Sequence, residues 1–208
     1  MKVLLINGSP NREGCTARAL TEVANTLREE GVEAEIVHIG KKPVRGCIAC
    51  DACSKLGRCV FNDDLVNELA EKFREADGLV VGSPVYYGSA NGSLVSLLDR
   101  LFYSTSFSKC MKVGAAVVSC RRGGNTAAFD ELNKYFTISQ MPVVSSQYWN
   151  MVHGFSARDV EKDLEGLQTM RNLARSMAFL IRAIAAEKER SGLPKTEPHM
   201  FTSFPDGL

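Results

Sequence analysis

The sequence predicts a doubly wound α/β fold: a three-layer sandwich around a five-stranded parallel sheet in the order 2-1-3-4-5. Three observations carry this. Short apolar runs rich in β-branched residues alternate along the chain with stretches of helical periodicity. The first strand, helix and strand pass between residues 2 and 39, a βαβ unit whose crossover is right-handed. Turn-rich segments follow the first, third and fourth strands, and a parallel sheet brings all three to one edge, where ligands bind.

Lys2 to Ile6 (KVLLI) is a continuous apolar run that reads as a buried strand, stopped by Asn7-Gly8-Ser9-Pro10. Thr16 to Glu30 places Ala17, Leu20, Val23, Ala24 and Leu27 at helical spacing, with Gly31 as the stop. Glu33 to Ile39 is the second strand. Asn62-Asp63-Asp64 signals the start of a helix through about Arg74. Gly78 to Gly82 is the third strand, Ser83 to Asn91 a loop, and Leu94 to Phe102 a helix. Lys112 to Cys120 is the fourth strand, Arg121 to Asn125 a loop, and Thr126 to Phe136 a helix. Pro142 to Ser145 is a short fifth strand, and Asp159 to Arg190 one long amphipathic helix. One domain over residues 1–190 is expected, with an extended tail over 191–208 that carries Phe201 and Phe204 for docking onto another subunit.

At 208 residues the chain can bury a sizeable core without staples. Its net charge of +1 offers no electrostatic footprint for nucleic acid, a membrane surface or an acidic partner. No apolar run approaches the roughly 20 residues that span a bilayer. Met1-Lys2 runs straight into a strand pattern, so no leader is expected and the cytoplasm is the expected compartment. Thiols stay reduced there, and seven cysteines then read as metal or redox chemistry before disulfides.

Four of those seven form the run Cys47, Cys50, Cys53 and Cys59, spaced C-x2-C-x2-C-x5-C within residues 46–64. Thiolates this close in sequence converge on one centre at little loop-closure cost. C-x2-C-x2-C is how many chains hold a [4Fe–4S] cluster, whereas zinc more often takes two C-x2-C pairs set further apart. A thiol-rich turn without metal is the third reading.

The other motifs are the three loops. Asn7 to Thr16 offers the hydroxyls of Ser9 and Thr16, the guanidinium of Arg12 and backbone N–H groups at a helix N-terminus, a set suited to a phosphate monoester. It is neither GxGxxG nor the P-loop, and the plain alternative is an ordinary βα turn. Ser83 to Asn91 joins Pro84 and Val85 to Tyr86, Tyr87 and Gly88, which suits a flat ring with a polar edge. Ser119 to Asn125 puts Gly123 and Gly124 where backbone must approach a ligand, beside Arg121 and Arg122. His38, His153 and His199 are scattered and read as structural or exposed. Tyr148 and Trp149 line either the pocket or a neighbouring subunit, and Trp149 reads first as core.

In GSPNREGCT, SPVYYGSANG and SCRRGGN the chain resembles the NADPH-dependent FMN reductase family, and in its cysteine block the iron–sulfur flavoprotein branch of that family. The resemblance covers about residues 1–185. It implies a flavodoxin-like fold, non-covalent FMN, and homodimers or homotetramers that complete the flavin site across an interface. By the resemblance, Ser9, Arg12, Cys15 and Thr16 fall on the phosphate loop, and Pro84, Val85, Tyr86, Tyr87 and Gly88 on the ring loop. Ser119, Arg121, Gly123 and Gly124 fall on the third loop, and Cys47, Cys50, Cys53 and Cys59 on the cluster. The expected activity is an FMN-dependent oxidoreductase fed by NAD(P)H or a ferredoxin-like protein, with a small-molecule acceptor and no catalytic side chain. The alternatives are an electron carrier without turnover and a redox sensor.

Overall fold

The computed structural model describes residues 1–198 and 200–202. His199 and Phe204 lie outside the described residues. The chain runs β1 (Lys2–Asn7), α1 (Cys15–Glu29), β2 (Glu33–His38), α2 (Ala52–Leu56), α3 (Val66–Glu75), β3 (Gly78–Tyr86), β4 (Ser89–Ala90), α4 (Gly92–Ser104), β5 (Val113–Cys120), α5 (Asn125–Thr137), β6 (Met151–His153), α6 (Ala157–Val160) and α7 (Leu164–Ser191). The parallel strands stand in the order β2-β1-β3-β5-β6. Counting parallel strands alone, this is the expected 2-1-3-4-5.

Alternation along each strand builds the two cores. Val3 and Leu5 of β1, Val80 of β3 and Val113, Ala115 and Val117 of β5 face α1 and α7. Leu4, Ile6, Leu79, Val81, Ala116 and Val118 face α3, α4 and α5 on the other side. Strands buried on both faces read as unbroken apolar runs, which is why they were visible in the sequence.

Four expectations are corrected. The third strand does not stop at Gly82: β3 continues to Tyr86 and folds back through β4, pairing Val85 with Ala90 and Tyr86 with Ser89. Tyr87 and Gly88, both at positive φ, form the two-residue turn whose twist suits a hairpin. The fifth strand is broken. Val143 bridges Gly114, the chain leaves the edge through Ser145–Trp149, and pairing resumes only where Met151 meets Val118. That excursion leaves Trp149 53% exposed, so it is not a core residue. The long helix starts at Leu164, not Asp159, because the Asp163 carboxylate caps it from the Gly166 N–H and separates it from the short α6. Within the cysteine segment the chain also forms α2, which its composition had not announced.

Candidate functional site

The loops after β1, β3 and β5 meet at one sheet edge and are tied to one another. The Gly8 N–H donates to Gly82 O at 2.8 Å, and a Cβ on Gly8 would lie 2.5 Å from Leu94 Cδ2. Asn91, the N-cap of α4, donates from Nδ2 to Gly8 O at 2.6 Å and from its backbone to Ser83 Oγ at 2.9 Å. Gly124 sits at φ +84°, with room for a Cβ only 2.7 Å from Gly88 Cα, so the third loop presses on the hairpin turn. Thr16 Oγ1 and Ser119 Oγ are buried and 2.8 Å apart, which ties α1 to β5. One of those hydroxyls donates to the other, so one hydrogen stays free.

The start of α1 has no side-chain cap. Its first N–H groups therefore keep no intrahelical partner. The loop before it is shaped from within: Ser9 N–H donates to Asn7 Oδ1 at 3.0 Å and Asn11 N–H to Ser9 Oγ at 3.1 Å. The His38 ring bonds Ser9 O at 2.7 Å, a structural place for that histidine. Cys15 donates its thiol to Gly154 O at 3.4 Å, and burial pushes that thiol's pKa up. Arg12, Arg121 and Gly123 are exposed, and Tyr87 is fully so. His153 leans on Asp163, which accepts its backbone N–H at 2.7 Å. The edge thus brings together Ser9, Arg12, Cys15, Thr16, Pro84, Val85, Tyr86, Tyr87, Gly88, Ser119, Arg121, Gly123 and Gly124.

The second place is the cysteine segment. All seven cysteines are free thiols, and Cys47, Cys50, Cys53 and Cys59 line one pocket with Phe61, Arg100 and Tyr103. No group of three or more His, Cys, Asp or Glu side chains among the described residues is drawn together as a metal ligand set. Ala49 and Asp51 hold positive φ on either side of Cys50. Among the described residues, no backbone N–H from Gly46 to Asp51 has a protein acceptor. Backbone that alternates this way can turn N–H groups toward an anion, and iron–sulfur sites use such concavities.

Two residues that sequence reasoning missed hold Cys59 in place, and one of them, Arg100, lines the pocket. Asn67 of α3 accepts the Cys59 N–H at 3.0 Å and donates to Cys59 O at 3.0 Å. Arg100 of α4 is 2% exposed and donates to Cys59 Sγ from Nε at 3.3 Å and from Nη2 at 3.2 Å. Its counter-ion is Asp64, which also accepts the Val66 N–H at the start of α3. The N-cap of α3 is Leu65, without a side-chain cap, so the expected cap at Asn62-Asp63-Asp64 is corrected: Asp64 stands one residue earlier, bonds the Val66 N–H and serves as the counter-ion of Arg100. Burial works against the Arg100 charge, but Asp64 and the Cys59 sulfur outweigh it and hold the guanidinium pKa above its ordinary value. The available signal was an arginine among Leu94, Leu97, Leu98 and Leu101, on the buried side of the helix.

The family described as NADPH-dependent FMN reductase matches residues 1–156. An iron–sulfur flavoprotein of Methanocaldococcus jannaschii is 36% identical over 192 residues, covering 88% of this chain and 99% of that one. An iron–sulfur flavoprotein of Methanosarcina thermophila is 31% identical over 194 residues, covering 91% and 100%. Among solved structures, RosB with bound 8-demethyl-8-formylriboflavin-5'-phosphate aligns with a TM-score of 0.71 at 15% identity, covering 99% of this chain and 93% of that one. An archaeal flavodoxin aligns with a TM-score of 0.59 at 16% identity, covering 88% and 99%. At these identities the likeness to the solved structures is one of fold.

Proposed function

Since the chain belongs to the NADPH-dependent FMN reductase family, in its iron–sulfur flavoprotein branch, we propose that it is an FMN-dependent oxidoreductase. It takes electrons from a reduced nicotinamide or a ferredoxin-like protein and passes them, through FMN and a [4Fe–4S] cluster, to a small-molecule acceptor. The observation that carries the FMN reading is the mutual anchoring of three loops at one sheet edge, with Asn91 bonding Gly8 and Gly124 set against Gly88.

The residues present fit both groups. The uncapped start of α1, with Ser9 and Arg12, suits a phosphate monoester, because the helix end presents partial positive charge and free N–H donors. Pro84 to Gly88 supplies a rigid hairpin whose backbone and apolar faces suit a flat ring. Cys47, Cys50, Cys53 and Cys59 give four sulfur donors around one pocket, with open backbone N–H groups beside them. Metal binding releases thiol protons and supplies the free energy that draws such ligands together.

Bound FMN supplies hydride and single-electron chemistry, which is the cofactor's own. The chain's part is to hold the phosphate at α1, to orient the ring with the β3–β4 hairpin, and to place Gly123 and Gly124 where backbone approaches closely. No side chain is needed as nucleophile or general acid.

The test is anaerobic purification followed by flavin, iron and sulfide analysis and NAD(P)H oxidation. Expected are one FMN and about four irons and four sulfides per chain, with broad absorbance that bleaches on reduction. Flavin with four free thiols at the cysteine run would sink the cluster reading. Protein that binds no flavin would sink the whole proposal.

A further inference from the structure

Arg100 is the most deeply buried charge in the described protein, and its surroundings are unusual. It lies on α4 with its aliphatic neighbours in the core, and its head reaches the cysteine pocket. Two of its N–H groups converge on the Cys59 sulfur at 3.3 and 3.2 Å. A third contact is to Arg45 O at 3.3 Å, and the Asp64 carboxylate takes the fork at Nη1 and Nη2. The Phe61 ring lies 5.5 Å from the guanidinium carbon. Asp64 accepts from Nη1 and Nη2, and the remaining donor of Nε together with Nη2 is aimed at the Cys59 sulfur, which places the guanidinium against one of the four thiols.

We propose that Arg100 raises the reduction potential of a cluster held by Cys47, Cys50, Cys53 and Cys59, by donating two N–H groups to the Cys59 sulfur. The inference rests on the cluster reading above. Reduction adds one electron to a cluster and makes its sulfurs better acceptors. Hydrogen bonds to those sulfurs, and a nearby positive charge, therefore favour the reduced form. Burial keeps water from screening the effect, since a charge works more strongly in a low-dielectric site. Asp64 opposes Arg100: its negative charge disfavours the added electron.

That opposition supplies a test. Arg100→Gln removes the charge and the fork, Arg100→Lys keeps the charge and loses the fork, and Asp64→Asn removes the counter-charge. Asn at 64 keeps an oxygen for the Val66 N–H, so the start of α3 survives. The midpoint potential of the cluster is read by titration with a chemical reductant, followed by electron paramagnetic resonance, on protein with counted iron. Expected are a reduction equilibrium about tenfold less favourable in Arg100→Gln, which is about 59 mV for one electron, a smaller drop in Arg100→Lys, and a rise in Asp64→Asn. A general loosening of the pocket would move all three the same way.

The inference is overturned if the arginine variants keep full iron and the wild-type midpoint, or if Arg100→Lys and Asp64→Asn shift together. If Arg100→Gln does not fold, the lysine and asparagine variants still decide it. Wild-type protein without iron overturns the cluster reading and this inference with it. Full iron with unmoved potentials removes only the inference.

Discussion

Asn67 shows how much of the cysteine pocket hangs on single side chains. Its amide pairs with the Cys59 backbone in both directions, and its Nδ2 also reaches Phe61 O at 3.0 Å. Alanine there leaves the part-buried Cys59 N–H and the Phe61 carbonyl without partners, and Cys59 O with only the Arg58 guanidinium at 3.3 Å. We expect Asn67→Ala to lose about 1–3 kcal/mol of stability and to retain less iron after reconstitution, as read by urea denaturation and iron analysis. Wild-type values of both would show that Cys59 is held by other means. Gly124 is the parallel case at the flavin edge. An alanine Cβ would meet Gly88 Cα at 2.7 Å from a φ of +84°, a region costly to any residue with a side chain. Gly124→Ala is expected to weaken FMN binding at least tenfold, which takes only about 1.4 kcal/mol. Fluorescence titration with FMN checks it, and an unchanged affinity would place the ring away from the third loop. Gly124 was legible beforehand because a Gly-Gly pair in a βα loop names its own backbone requirement. Asn67 and Arg100 were not, because their partners stand 8 and 41 residues away in the chain.

Elements repeat this division between local and distant causes. The three inner strands, β1, β3 and β5, were visible as apolar runs, since burial on both faces demands it. The hairpin was not, because Ser83 to Asn91 reads as turn chemistry until Glu131 is known. That carboxylate on α5 accepts from Ser89 Oγ at 2.8 Å and from the Ala90 N–H at 2.9 Å, and so fixes β4. Glu131→Ala is expected to free the hairpin and raise the FMN dissociation constant, with Glu131→Gln in between because it keeps one acceptor oxygen. Equal affinity in all three would mean that the hairpin stands without α5. The broken fifth strand escaped sequence reading for a similar reason: Val143 and Met151 both pair with β5, but the chain between them leaves the edge. Helix α7 docks on α1 through Glu22, which takes Arg171 at 2.5 Å and Arg18 at 2.8 Å. Burial works against the Glu22 charge, yet the two arginines outweigh it and hold its pKa below the ordinary carboxylate value. A depressed folded pKa contributes stability that is present above the unfolded value near 4.5 and is lost as pH falls through the folded one. Glu22→Gln should therefore cost about 1–2 kcal/mol at pH 7 and flatten the acid limb of the stability curve below about pH 4.5. Denaturation across pH 3–7 checks this, and a variant with the wild-type acid limb would assign that limb to other carboxylates.

At the scale of the whole molecule, the two-sided core explains why the fold was readable while the surface was not. Alternation in β1, β3 and β5 specifies which helices lie on which face, and no equivalent rule specifies what covers an edge. β6 makes such an edge. Among the described residues, β6 pairs only with β5. The Tyr148 and Trp149 rings meet at a tilt, centroids 5.1 Å apart, beside Val143, and Val143 also shares a groove with Phe179 of α7. These rings and Phe155 are all exposed. A row of exposed aromatics along an unpaired sheet edge is what soluble monomers avoid. We therefore expect a homodimer or homotetramer that covers this edge. Light scattering on the purified protein should give a mass of two or four chains. Trp149→Ala, taken as a central anchor, should cost about 2 kcal/mol of association, roughly a thirtyfold weaker oligomer, while leaving the thermal unfolding of the isolated subunit unchanged because Trp149 packs on no core. A monomeric wild type, or an oligomer indifferent to Trp149 and Phe179 substitution, would move the contact to another face, with the exposed Ile48 and Leu56 of the cysteine segment the next surface to mutate.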